Sequence, residues 1–167
     1  MADTARGAVS MTPIVTIAAD SDADAVDAIH HDIGGSLGGK LEYEKADAND
    51  KWVYSAARDV AAASADLIPA STAFTEGGTT VAADDIRYLF LKHSGTTDGS
   101  TATSSKVYIN LDASDAASVA NVIEVGKDEA IVLKFKASGG VECQNLHVGT
   151  SSGVVRCTIA AIVDDGG

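Results

Sequence analysis

Residues 29–45, IHHDIGGSLGGKLEYEK, hold the densest set of side chains that could do chemistry. His30, His31 and Asp32 are possible metal ligands, and Gly34, Gly39 and Lys40 fit the G-x-x-x-x-G-K spacing of a phosphate-binding loop. Neither chemistry is completed. The next residue is Leu41, where a nucleotide loop needs a Ser or Thr hydroxyl to hold magnesium. Such a loop also opens a helix whose first N–H groups meet phosphate, whereas LEYEK alternates like a strand. Consecutive residues of an extended chain point to opposite sides, so His30, His31 and Asp32 do not converge on one ion. His93 and His147 are distant in sequence and add no zinc-like spacing. The reading left is a glycine-rich turn that leads into a strand.

DSDADAVD, residues 20–27, sets Asp20, Asp22 and Asp24 at positions one, three and five of a calcium loop. Position six is Ala25 where glycine is needed, and position twelve is His31 where glutamate is needed. A solvated acidic turn, with Ser21 or Asp24 capping a short helical turn, accounts for it better. No G-x-S-x-G elbow occurs, and neither Cys143 nor Cys157 stands in a motif beside histidine. Adjacent Asp84 and Asp85 project to different sides and make a poor acid/base pair. The sequence therefore gives no catalytic residue, no cofactor and no metal, and the chain is not read as an enzyme. A small hydrolase or metal-dependent binder would need His30, His31, His93 and His147 to meet among acids.

The elements that would carry these residues are mostly strands. RYLFLKH puts Tyr88, Phe90 and Lys92 on one face and Leu89, Leu91 and His93 on the other, apolar on both sides at its centre. KVYINLD turns Val107, Ile109 and Leu111 inward. AIVLKFK does so with Ile131, Leu133 and Phe135. VVRCTIAAIV does so with Val155, Cys157, Ile159, Ala161 and Val163. SGTTDGSTATSS (94–105) is a polar loop too long for a tight hairpin. VGKDEA reads as a short turn, and ASGG and GTSSG read as hairpin connections. Upstream, SMTPIVTIAA, LEYEK and KWVYSAA are strand-like, with Pro13 near the start of the first. DVAAASADLI is open between helix and an irregular extended path. The expected fold is all-β: an antiparallel β-sandwich, jelly-roll-like, over residues 13–167, behind an irregular N-terminal arm at 1–12. Trp52 and Tyr54 share one strand face, as a core anchor or an interface anchor.

The chain has 167 residues, enough for one domain that hides roughly 70% of its unfolded surface. It carries 24 acidic against 12 basic residues, a net charge of −12. That surface repels phosphate backbones and anionic membranes, so neither nucleic acid nor membrane is an expected partner. The first twenty residues lack a basic start and a long apolar run, so synthesis in a cytoplasm is expected. Cys143 and Cys157, in alternating apolar runs, read as buried free thiols; a cross-strand disulfide is the alternative.

DKWVYSAARDV, GGTTVAADDIRYLFLKHSGTTDGSTATSSKVYINLD, VIEVGKDEAIVLKFK and VVRCTIAAIVDD together resemble virion structural proteins of marine tailed bacteriophages, those of cyanobacteria in particular. The likeness covers about residues 50–165 and rests on turns and strands, not on a catalytic signature. It implies a β-sandwich that coats or builds a virion. The role expected from it is capsid decoration or cement on the outer shell, with the major capsid protein and further copies of the chain as partners. A tail, collar or fibre-associated component is the alternative. The arm, with Met11, Pro13 and Ile14, and the Trp52/Tyr54 face are the expected contact regions.

Overall fold

The computed structural model describes residues 4–10, 38–44, 50–70, 75, 80–111, 122–136 and 139–164, the first two stretches as strand paths alone. The chain divides into two compact units, Thr4–Tyr43 and Glu44–Gly167 with Met1–Asp3. The division thus falls at residue 43, where the sequence placed one at residue 12. In the smaller unit β1 (Thr4–Ser10) pairs with β2 (Gly38–Glu44). A strand therefore occupies part of the stretch expected as an arm. Met11, Pro13 and Ile14 lie outside the described residues, as do His30, His31 and the acidic turn at 20–27.

The larger unit is all-β. Its strands are β3 (Lys51–Val60), β4 (Ala65–Asp66), β5 (Asp85–His93), β6 (Val107–Asn110), β7 (Ile123–Val125), β8 (Ala130–Lys134), β9 (Val141–Glu142), β10 (His147–Thr150) and β11 (Val155–Asp164). One sheet has the order β3-β11-β5-β8, with β9 also on β5; the other has the order β4-β10-β6-β7. All the pairings in both are antiparallel. DVAAASADLI takes the extended path, ending β3 and supplying β4.

The core follows from alternation. Val155, Cys157, Ile159, Ala161 and Val163 of β11 are buried, with Leu89 and Leu91 of β5 beside them. They form one cluster with Val107, Ile109, Val125 and Val148 from the other sheet. Val, Ile and Leu at every second position let each sheet give one whole face to this core. Leu111 departs from the expected pattern: β6 ends at Asn110, and Leu111 is 38% exposed.

Two bulges reset the alternation. Ile162 pairs with Tyr88 but Val163 pairs with Ile86, so Arg87 is an extra residue in β5. Ile86 and Leu89, three apart, can then both face the core. A second shift lies between Cys157 and Ile159, opposite Arg58 and Ser55 of β3. It returns Val60 to the core face on which Val53 already lies. An extra residue on one strand does this because the side-chain period of a strand is two.

The short polar connections are not hairpins. β7 lies in one sheet and β8 in the other, so VGKDEA carries the chain between sheets, and GTSSG does the same from β10 to β11. ASGG does not turn β8 back on β9: both strands pair antiparallel with β5 and so run the same way along its edge. Among the described strands of this unit, β6 and β7 are the one consecutive pair that bond to each other.

Candidate functional site

The residues that attracted attention in the sequence meet different fates. Gly39 and Lys40 lie inside strand β2, not at the loop-to-helix junction a phosphate site requires. His147 Nε2 sits 3.2 Å from Asp66 Oδ1, directly across the β10–β4 pairing. His93 belongs to the other sheet. Among the described residues no group of three His, Cys, Asp or Glu side chains is placed to share a metal ion.

His93 is wholly buried, and both ring nitrogens are engaged. The Gly95 N–H donates to Nδ1 at 2.8 Å. Since a backbone N–H can only donate, Nδ1 carries no proton, and Nε2–H must be the donor to the Ser105 carbonyl at 2.7 Å. The His93 N–H donates to the Glu129 carbonyl at 2.9 Å. The imidazole thus ties the two ends of the 94–105 loop together, and the backbone of the same residue holds the turn between β7 and β8. Two of the crossings between sheets meet at this one residue.

The 94–105 loop is a closed structure. Thr96 bridges Ala102, and the Thr97 N–H donates to the Thr101 carbonyl at 2.8 Å. At its tip Asp98 Oδ1 accepts from the Ser100 and Thr101 N–H groups at 2.8 and 2.7 Å, and Oδ2 accepts from the Thr101 hydroxyl at 2.9 Å. Arg156 fixes the loop to the sheet. Its Nη1 donates to the Asp98 carbonyl, while Nε and Nη2 fork onto Asp59 at 2.8 and 3.1 Å.

The Thr101 and Ser100 donors hold the Asp98 carboxyl far below the ordinary aspartate value of 3.8. A depressed folded value means stability that is fully present above the unfolded value and is lost progressively as pH falls from there through the folded one, while the carboxyl in the folded protein stays ionised until that lower value is reached. The Ser100 and Thr101 amide resonances are therefore expected to stay fixed in a 1H–15N titration from pH 7 to below 3.8, and to move only in stronger acid. A midpoint at or above the ordinary value would mean the tip is not closed on Asp98.

Cys143 and Cys157 are free and fully buried. The Cys143 N–H donates to the Asp84 carbonyl, just before β5, whereas Cys157 pairs with His93 at the opposite end of β5. A nine-residue strand spans roughly 27–30 Å, far beyond disulfide reach. Burial pushes both thiols up to about 12. Neither should react with an aromatic disulfide reagent at pH 8 while the protein is folded, and both should react in denaturant. Fast reaction of either in the native state would show that the segment around it opens readily.

The outer faces of the two sheets differ sharply. On the four-stranded sheet the outward positions are polar. Glu124 lies opposite Tyr108 in register, the Lys106 ammonium meets Glu124 at 2.7 Å, and Asn110 lies opposite His147. On the five-stranded sheet, register aligns Trp52, Ile162, Tyr88 and Lys134 in one row across four strands. The next row is Tyr54, Ala160, Phe90 and Val132, and a third holds Thr158, Lys92 and Ala130. None of Trp52, Tyr54, Tyr88, Phe90, Val132 and Ile162 belongs to the core cluster between the sheets, but Ile162 and Tyr88 are themselves buried.

Tyr54 is 58% exposed, and Val53, not Trp52 or Tyr54, is the core residue of that strand end. The core-anchor reading of the pair is thereby corrected: the neighbours of Val53 must point away from the face it buries. Sequence alone singled out Trp52 and Tyr54. It did not align Tyr88, Phe90, Val132 and Ile162 with them, because that alignment needs the strand order and the bulge at Arg87. The only signal was that RYLFLKH is apolar on both faces.

Comparisons with family models, with curated proteins and with solved structures find no match for this chain.

Proposed function

We propose that the chain is a structural protein of a tailed-phage virion, of the decoration or cement type, carried on the outside of the shell. The observation that supports this most is the inequality of the two outer faces. One is polar, with Lys106 and Glu124; the other has an apolar row of Tyr54, Ala160, Phe90 and Val132, in which Tyr54 is 58% exposed and the rest half-buried, beside a second row whose Ile162 and Tyr88 are buried. A solvated sheet face should be polar throughout. Contiguous apolar surface on a folded protein marks a contact with something else. The reading takes the two sheets as a β-sandwich, jelly-roll-like, with its apolar outer face toward the major capsid protein and its polar face toward water.

On this reading the mechanism is mechanical. Docking at junctions between capsid subunits buries apolar area on both, and the lattice repeats the contact with its symmetry. The resemblance of residues 50–165 to virion proteins of marine phages supports the same role. Gold-labelled antibody on intact virions tests it. Dense label over heads is the expected result; label confined to tails would make the chain a collar or fibre component. No label on any particle would remove the virion reading altogether.

A further inference from the structure

The five-stranded sheet ends on one side at β8, and among the described residues no strand pairs with the far edge of β8. The ladder to β5 shows which backbone groups are left over. The His93 N–H donates to the Glu129 carbonyl, and the Phe135 N–H donates to the Arg87 carbonyl. Between them Ile131 stands opposite Leu91 and Leu133 opposite Leu89. Bonds to β5 therefore fall at 129, 131, 133 and 135, and the N–H and C=O groups of Ala130 and Val132 point away from the sheet. The other edges of the larger unit are guarded. β3 is bridged at Val53 by Thr75 and carries Arg58 and Asp59. β4 and β9 have two residues each, and β7 has three with Glu124 at its centre. Short strands and edge charges protect against unwanted strand pairing. β8, AIVLK, has five residues, one charge at its very end, and no register shift against β5. Its Ile131 and Leu133 pack against the core yet stay partly exposed at this edge.

We infer that β8 pairs with β8 of a second copy of this chain, antiparallel about a two-fold axis at Val132. An open row of N–H and C=O groups is completed by another strand. The charges at the two ends of β8 make its own copy the fitting one. The turn before it carries Lys127, Asp128 and Glu129, and Glu129 accepts from the Gly126 N–H at 2.6 Å. Its far end carries Lys134, which has a contact of its own, and then Lys136. Asp128 and Lys136 are exposed and have no ion-pair partner among the described residues. Antiparallel pairing about Val132 brings Asp128 of each copy to Lys136 of the other. It sets Ile131 beside Leu133 and Lys134 opposite Ala130, so no like charges lie directly opposite. Parallel pairing would bring lysines to lysines. Lys92, next to Ala130 in register, then stands two strand spacings, about 10 Å, from Lys134 of the second copy, where salt screens the repulsion. The row of Tyr54, Ala160, Phe90 and Val132 continues through the axis into its copy. Each chain uses its one unguarded edge, so assembly by this contact stops at two. The inference does not depend on the virion reading.

Sedimentation equilibrium of the purified full-length protein over rising concentration tests it. A monomer–dimer equilibrium is expected, and it should tighten with salt, because two chains of −12 repel each other at long range. Val132→Lys sets two ammonium groups against each other at the axis and should weaken the dimer about tenfold. Val132→Pro removes the N–H at the axis and should weaken it about a hundredfold. Should the proline variant fail to fold, the lysine variant carries the test, since its side chain lies on the outer face. Amide exchange reads the register directly. Ile131 and Leu133 should be protected at every concentration, and Ala130 and Val132 only as the dimer forms. A monomer at every concentration and salt would overturn the inference. So would a dimer of full strength in Val132→Lys, or one in which Ala130 and Val132 exchange as fast as in the monomer.

Discussion

Replacing His93 by alanine should cost about 3–5 kcal/mol of folding stability, one of the two largest single-site losses expected in the described part of the molecule. Two effects add. Removing the ring leaves a void at a site with no solvent exposure. It also leaves the Gly95 N–H and the Ser105 carbonyl without the partners they meet at 2.8 and 2.7 Å, and each buried polar group left unmade costs about 1–3 kcal/mol. His93→Leu separates the two effects, since it restores most of the volume and neither bond; it should recover less than half of the loss. Denaturant unfolding of the three proteins measures this. Nitrogen-15 spectra of the ring should show the proton on Nε2 and a bare Nδ1. A loss below about 1 kcal/mol would mean that water replaces both bonds and that the corner is held elsewhere.

Gly95 is the companion test at the same corner. Its φ of +75° is one that glycine adopts freely, and a Cβ there would stand 2.5 Å from Asp128 Oδ1. Gly95→Ala should therefore destabilise through both backbone and clash. Asp128 itself sits at a φ of +64°, so Asp128→Gly, compared with the same change made alone, should relieve the clash without adding a second left-handed alanine. Full rescue would show that the left-handed backbone at Gly95 costs little.

What was legible in the sequence was what alternation can carry. β11 was readable because Val155, Cys157, Ile159, Ala161 and Val163 keep a period of two over nine residues. β5, β6 and β8 were readable for the same reason. The Cys143 and Cys157 thiols were read as buried from their apolar neighbours. Partnership was not legible. GTSSG and VGKDEA have the composition of hairpin turns, yet each joins strands of different sheets. Local turn chemistry fixes how the chain bends, not which strand it then meets. The apolar rows on the outer face of the five-stranded sheet were half legible for a related reason. Trp52 and Tyr54 declare one face of β3, but the residues that extend the row come from β11, β5 and β8. His93 invited a metal reading because an isolated sequence cannot show that both its nitrogens are committed to backbone groups.

Arg87→Met should cost about 3–5 kcal/mol as well, for a different reason. The guanidinium is nearly inaccessible, on the residue that makes the bulge in β5. Nε and Nη2 donate to Asp164 Oδ2 at 2.8 and 2.6 Å, and Nη1 donates to the Lys136 carbonyl at 2.8 Å and to Asp85 Oδ2 at 3.2 Å. One planar fork thus ties the end of β11, the start of β5 and the loop between β8 and β9. Methionine would fill the space and strand two partly buried carboxylates beside it. Arg87→Lys should recover little, because an ammonium cannot reproduce the fork. The decisive measurement is a double-mutant cycle with Asp164→Asn. If the bulge exists to place this ion pair, the double variant should be less destabilised than the sum of the singles by about 1–3 kcal/mol. Additive losses would assign Arg87 to holding the Lys136 carbonyl, and the loop at 135–140 would then loosen in hydrogen exchange while the β11–β5 pairing stayed protected.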